Sequence, residues 1–275
     1  MLSFFFKSNV WLGFCAMALS CWSLLKMTAS LDWAYHLWVY AFIVTYYGLH
    51  GRWTCQKDHL SDSAALSFFT GASLWWMVIP HGMMAIWMLF LTPWSMSVAM
   101  LILMLCSAAY DMPYFARRSS AKLLKISVRE WPHLKAFAVA TFMAMVLVVV
   151  PIMGKGTHVS WIELMMFTMM VWFHILINTI CGDLRDVDKD AEKGMRTIGV
   201  TLGFDTTKKV LLCLCFAWSI LGYWQKDTVA MLAFGVHGVL IWTLVKKTAV
   251  FNDYHKLDVC HWIPLLMILF KRNMS

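Results

Sequence analysis

Residues Asn178 to Gly203 read NTICGDLRDVDKDAEKGMRTIGVTLG and close a run, 164–182, that carries no charge. Asp183, Asp186 and Asp190 stand at i, i+3 and i+7. At about 100° per residue this spacing predicts three carboxylates within about 60° of one another on one helix. Carboxylates so placed repel, and packing gives no reason to gather them at the mouth of an apolar segment. A divalent cation relieves the repulsion, and Mg²⁺ takes a few carboxylates together with phosphate oxygens. Arg185 and Asp188 fall on other sides of the same helix, where they are solvated or ion-paired. A polar cap on a membrane helix is the plainer explanation of the charges, but a cap needs no register.

Working outward, 61% of the 275 residues are hydrophobic and 14% are charged, well below the roughly 25% charged residues of globular domains. With long charge-free runs, this composition predicts an all-α integral membrane protein. Charge-free stretches mark spans at 8–25, 33–51, 136–154, 164–182, 210–225, 228–245 and 259–270. The run 63–110 is too long for one helix, and Pro93 divides it in two. The expectation is nine helices in a single domain over 1–275, with the short ninth extending back through Asp258. Nine spans would place 18 of the 23 Lys and Arg on the face that carries the aspartates, and the positive-inside rule makes that face cytoplasmic or its organellar equivalent. The same topology accounts for the net charge of +8 without nucleic acid. The N-terminus has neither a basic n-region with a cleavage site nor an Arg-rich transit pattern, so the first apolar run reads as a retained helix. Most of the eight cysteines lie inside apolar runs with no zinc spacing, as small buried apolar residues do.

D-x-x-D-x-x-x-D followed by K-G-x-R-T-x-x-V-x-x-G resembles the second aspartate-rich motif of the UbiA superfamily of intramembrane prenyltransferases. The resemblance implies a nine-helix bundle that binds a polyprenyl diphosphate through Mg²⁺ and passes the prenyl group to an aromatic or other lipophilic acceptor. It implies Asp183, Asp186 and Asp190 as metal ligands and catalytic residues. Lys193, Arg196 and Asn178 would then stand near the diphosphate. The membrane would be a bacterial inner membrane or that of a mitochondrion or plastid.

The superfamily's first motif, N-D-x-x-D-x-x-x-D at the end of the second helix, is altered in this chain. One register places Thr54, Asp58 and Asp62 at its positions, making Asp58 and Asp62 further metal ligands; the other places Tyr46, His50 and Thr54 there, with no carboxylate. After the fourth span, Tyr110 is followed by Arg117, Arg118, Lys122, Lys125 and Arg129, similar to the superfamily's loop that closes over the diphosphate. Arg suits phosphate through its planar fork of donors, and a basic loop of this kind also meets anionic lipid headgroups. The altered first motif motivates an alternative: a pseudoenzyme with the family fold, serving as a structural or lipid-binding subunit of a larger membrane complex. His81 and His174 lie inside spans and raise a third possibility, haem ligation, against the commoner role of interhelical hydrogen bonding.

Overall fold

The computed structural model describes residues 9–28, 30–58, 71–111, 115–119, 122–126, 131, 133–155, 159–192, 194–246 and 257–273, with 53–58, 111, 115–119, 122–126, 189 and 271–273 described in their backbone alone. Each of the nine predicted stretches carries a helix among these residues. The first six are α1 (Val10–Thr28), α2 (Trp33–Asp58), α3 (Ala72–Leu91), α4 (Trp94–Asp111), α5 (Leu134–Gly154) and α6 (Trp161–Arg185). Two short helices, α7 (Val187–Glu192) and α8 (Ile198–Leu202), follow α6. The remaining three long segments are α9 (Phe204–Trp224), α10 (Thr228–Leu244) and α11 (Ile263–Asn273), the last preceded by a 3₁₀ turn over Leu257–His261. Four helices, α1, α3, α5 and α6, are long and apolar enough to cross a membrane on length and composition, and the chain is an integral membrane protein. One element departs from an all-helical reading. Phe115–Ser119 (β1) and Lys122–Ile126 (β2) pair as an antiparallel hairpin inside the basic loop, with Arg117 opposite Leu124 and Arg118 opposite Leu123.

Helix boundaries follow from local chemistry. Pro93 separates α3 from α4 as the sequence suggests, and Ser97 Oγ returns to the freed Leu89 carbonyl at 2.7 Å. Ser160 and Glu163 form a reciprocal capping box at the start of α6, which satisfies two of the open backbone donors there. Inside α5 the ladder widens to a π-helical turn over Met145–Val149. Pro151 supplies the cause, since it lacks an N–H and its ring crowds the carbonyl of Leu147.

The chain divides into two compact units. The first holds Met1–Met100 and Val150–Thr157. Its α2 packs on α1 and α3 through Val44, Leu74, Met77 and Val78, and Trp38, Phe42, Tyr46 and His50 stack along α2 with centroids 5.1, 5.9 and 5.9 Å apart. Ser20 Oγ and His36 Nδ1, both fully buried, meet at 2.9 Å. Lys155 donates to the Leu31 carbonyl at 3.2 Å and lies 3.9 Å from Asp32, which fastens the end of α5 within this unit. The second unit, Leu101–Val149 with His158–Ser275, contains the aspartate segment. Here α5 packs on α6 and α9 on α10, around a core that includes Phe167, Val171, Ile177, Leu211, Phe234 and Ile241.

Candidate active site

The aspartate segment is not one helix, which corrects the register argument. α6 ends at Arg185. Asp186 takes the C-cap with φ −100° and ψ 11°, its N–H reaching the Asp183 carbonyl at 3.2 Å, and α7 begins at Val187. No proline or glycine marks the break. Asp183 and Asp186 thereby meet the negative C-terminal end of α6, which a carboxylate opposes, whereas the positive N-terminal end of α7 suits one. Restarting at Val187 places Asp188 and Asp190 in the first turn of a new helix.

The turn separates the three carboxylates by partner. Asp183 and Asp190 are only 3% and 4% exposed, and both face one cation: Lys135 Nζ lies 2.5 Å from Asp183 Oδ1 and 4.0 Å from Asp190 Oδ2. Asp186 instead receives Arg185, with Nη2 at 2.6 Å and Nε at 3.2 and 3.3 Å from its oxygens. Arg185, expected on another side of the helix, is therefore ion-paired within the triad itself. Asp188 is exposed. Among the described residues no group of three or more His, Cys, Asp or Glu side chains stands close enough to hold a metal ion. The donor set still suits Mg²⁺. It is oxygen-only, its two buried carboxylates both lie within 4.0 Å of Lys135 Nζ, and Mg²⁺ needs only one or two carboxylates when phosphate oxygens and water complete its shell.

Lys135 carries no signal in the sequence that links it to this motif, because it lies 48 residues away from Asp183. Its placement is built by the backbone. His133 adopts the left-handed conformation at φ 61° as the N-cap of α5, and its N–H donates to the Arg196 carbonyl at 2.9 Å. That bond ties the start of α5 to the aspartate motif at a second point. Beyond Asp190, Gly194 at φ 68° turns the chain, and Met195 N–H returns to the Asp190 carbonyl at 2.8 Å. Positive φ is the conformation glycine adopts freely. Thr197 then caps α8 through Val200 N–H.

Asn178 turns its amide nitrogen to the turn before α11. Nδ2 donates to Asp258 Oδ1 at 2.9 Å and lies 3.2 Å from His261 Nε2, while His261 Nδ1 meets His174 Nε2 at 2.9 Å. These contacts pin the 3₁₀ turn at Leu257–His261 against α6. A third ring, His237, lies 4.9 Å from His174 by centroid.

The remaining predicted residues are placed by their elements. Tyr110 is half-buried one residue before the end of α4, and Arg196 is exposed. Arg117 and Arg118 lie in β1 and Asp58 closes α2, each placed by backbone. Asp62 and Lys193 lie outside the described residues. The haem reading fails at His81. Nδ1 donates to the Met77 carbonyl at 2.7 Å, so Nε2 accepts from Tyr40 Oη at 3.1 Å, and neither nitrogen is left for iron.

The model of the UbiA prenyltransferase family matches residues 63–262. No curated protein matches the chain at significant sequence similarity. Among solved structures, the fold is similar to a UbiA homologue from Archaeoglobus fulgidus bound to GPP and Mg²⁺, with TM-score 0.63, 13% identity, and 96% of this chain and 99% of that one covered. A UbiA homologue from Archaeoglobus fulgidus bound to DMAPP and Mg²⁺ gives TM-score 0.61 at 12% identity, covering 96% and 99%. The apo structure of a UbiA homologue from Aeropyrum pernix K1 gives TM-score 0.61 at 13% identity, covering 94% and 97%.

Proposed function

This chain belongs to the UbiA prenyltransferase family, and we propose that it transfers a polyprenyl group from a polyprenyl diphosphate to an aromatic or other lipophilic acceptor within the membrane. The observation that carries the proposal is the pair of buried carboxylates, Asp183 and Asp190, converging on one cation at the end of α6. Burying two carboxylates costs several kcal/mol each unless a cation offsets it, and here the cost is concentrated in the motif that the family shares. The solved homologues bound to prenyl diphosphates and Mg²⁺ support the same substrate and metal for this fold.

Asp183, Asp186 and Asp190 would hold Mg²⁺, which when bound neutralises charge on the leaving diphosphate. Lys135, Arg185 and Arg196, with Lys193, Arg117 and Arg118, supply cations for the diphosphate oxygens. Aromatic rings on the second unit's helices suit the allylic cation left behind, because their π faces attract positive charge and exclude water. Phe173, Trp218 and Phe234 form one such ring chain, with centroids 4.9 and 5.6 Å apart. Asp58 and Asp62 would add ligands from the altered first motif.

The nine helices read as nine spans of one functional domain, 1–275, since the family match runs through both compact units. Exposed tryptophans support that topology. Trp33, Trp94 and Trp161 open α2, α4 and α6, and Trp224 closes α9; nine spans bring all four to the less basic face, where indoles anchor at the lipid–water boundary. The basic face would be cytoplasmic or its organellar equivalent, in contact with anionic lipid headgroups.

Binding of a non-hydrolysable prenyl thiodiphosphate to the purified protein in detergent tests the proposal. Binding should require Mg²⁺ and be lost in Asp183→Asn and Asp186→Asn, while Asp188→Asn binds like wild type. A folded wild type that shows no Mg²⁺-dependent binding would instead favour a family fold kept as a structural or lipid-binding subunit.

A further inference from the structure

We infer that Lys135 is an exchangeable counter-ion: its ammonium holds the site of Asp183 and Asp190 against a bare divalent cation and transfers to the diphosphate when metal and substrate enter together. The inference rests on the prenyl-diphosphate reading above. Lys135 touches Asp183 at 2.5 Å and reaches Asp190 at 4.0 Å, so it occupies the point on which both carboxylates converge. Its position runs against local preference. A lysine in the first turn of a helix meets the positive end of the helix dipole, and Lys135 is the second residue of α5. The chain also adopts a left-handed non-glycine conformation at His133 to begin the helix there. Local cost on both counts is offset by the two carboxylates, which ties the lysine to the site rather than to the helix.

Lys135 offsets one of the two carboxylate charges and sits where a divalent ion would have to approach both. A divalent ion entering alone must displace the ammonium into a region where it has lost both partners. A diphosphate arriving with the ion gives the ammonium new oxygen partners and removes that penalty. Metal and substrate binding are then coupled, and each strengthens the other by the same factor. Lysine suits this exchange, being a flexible point charge rather than a rigid fork.

The test uses the full chain in detergent. Mn²⁺, which accepts the same oxygen donors, is titrated alone and followed by the EPR signal of the free ion, then titrated with the prenyl thiodiphosphate present. In Lys135→Met the affinity for Mn²⁺ alone should rise on the order of ten-fold, because the ion no longer competes with a half-buried ammonium. Affinity for the thiodiphosphate should fall in the same variant, and the mutual strengthening should shrink. Lys135→Arg keeps a cation and can fork to both carboxylates, so Mn²⁺ alone should bind it more weakly than wild type. It also serves if the Met variant does not fold. Unchanged or weaker Mn²⁺ binding in Lys135→Met would overturn the inference, as would wild-type or tighter Mn²⁺ binding in Lys135→Arg. Loss of thiodiphosphate binding by wild type would sink the substrate reading separately, and the two Mn²⁺ comparisons would still decide the role of Lys135.

Discussion

His237 is fully buried on α10, and neither of its ring nitrogens has a hydrogen-bond partner among the described residues. An unsatisfied buried polar group carries its full desolvation penalty, commonly about 1–3 kcal/mol. His237→Leu, close in volume and without the nitrogens, should therefore raise thermal stability in detergent; a lower melting temperature would mean that the ring is held by a group yet to be identified. At this scale the sequence reveals chemical types better than partners. The carboxylates of the aspartate motif stand out in any reading, because charges at the end of an apolar run need a reason. What each one touches depends on residues far away in the chain. Lys135 reads in sequence as one more basic loop residue, and Asn178 reads as available for substrate, whereas Asp258 and His261 take its amide nitrogen.

Among the elements, hydropathy locates the helices and local chemistry sets their ends. Pro93 is readable as punctuation. The break at Asp186 is not, since L-R-D-V-D-K-D contains no breaker. The hairpin of β1 and β2 escapes for a related reason, as a basic loop gives no strong alternation to mark strands. The left-handed start of α5 is the element feature with the clearest consequence. His, Asn and Asp tolerate that conformation better than β-branched residues do. His133→Val should thus destabilise the protein by about 1–2 kcal/mol relative to His133→Asn, measured by thermal unfolding. Equal stability of the two would show that the helix start relaxes to another conformation.

For the whole molecule, the charge pattern makes a prediction about sidedness that the helices can carry. Single cysteines placed at Glu192 and Lys226 in a cysteine-free background should react with a membrane-impermeant maleimide from opposite faces, Glu192 from the face that bears the basic loops. Labelling of both from one side would remove a crossing between them and break the nine-span topology. Composition and charge-free runs make the membrane class legible in the sequence, because a bilayer imposes its thickness on every helix. The division into two compact units is not legible in that way. It falls inside α4 and α5, and hydropathy does not change at either position.

The ring stack on α2 behaves like a screw thread. Trp38, Phe42, Tyr46 and His50 recur every four residues, and four residues advance an α-helix by about 400°, so the row gains about 40° at each step. Trp38 and Phe42 lie in the core, whereas Tyr46 and His50 are already half-buried. Continued to position 58, the row has turned by about 200°. Thread pitch therefore sets the compass bearing of position 58, and the chain's length between ring and that position works as a vernier. Removing one residue after His50 would swing position 58 by about 100° and draw it back about 1.5 Å, while adding four would leave its bearing within about 40°.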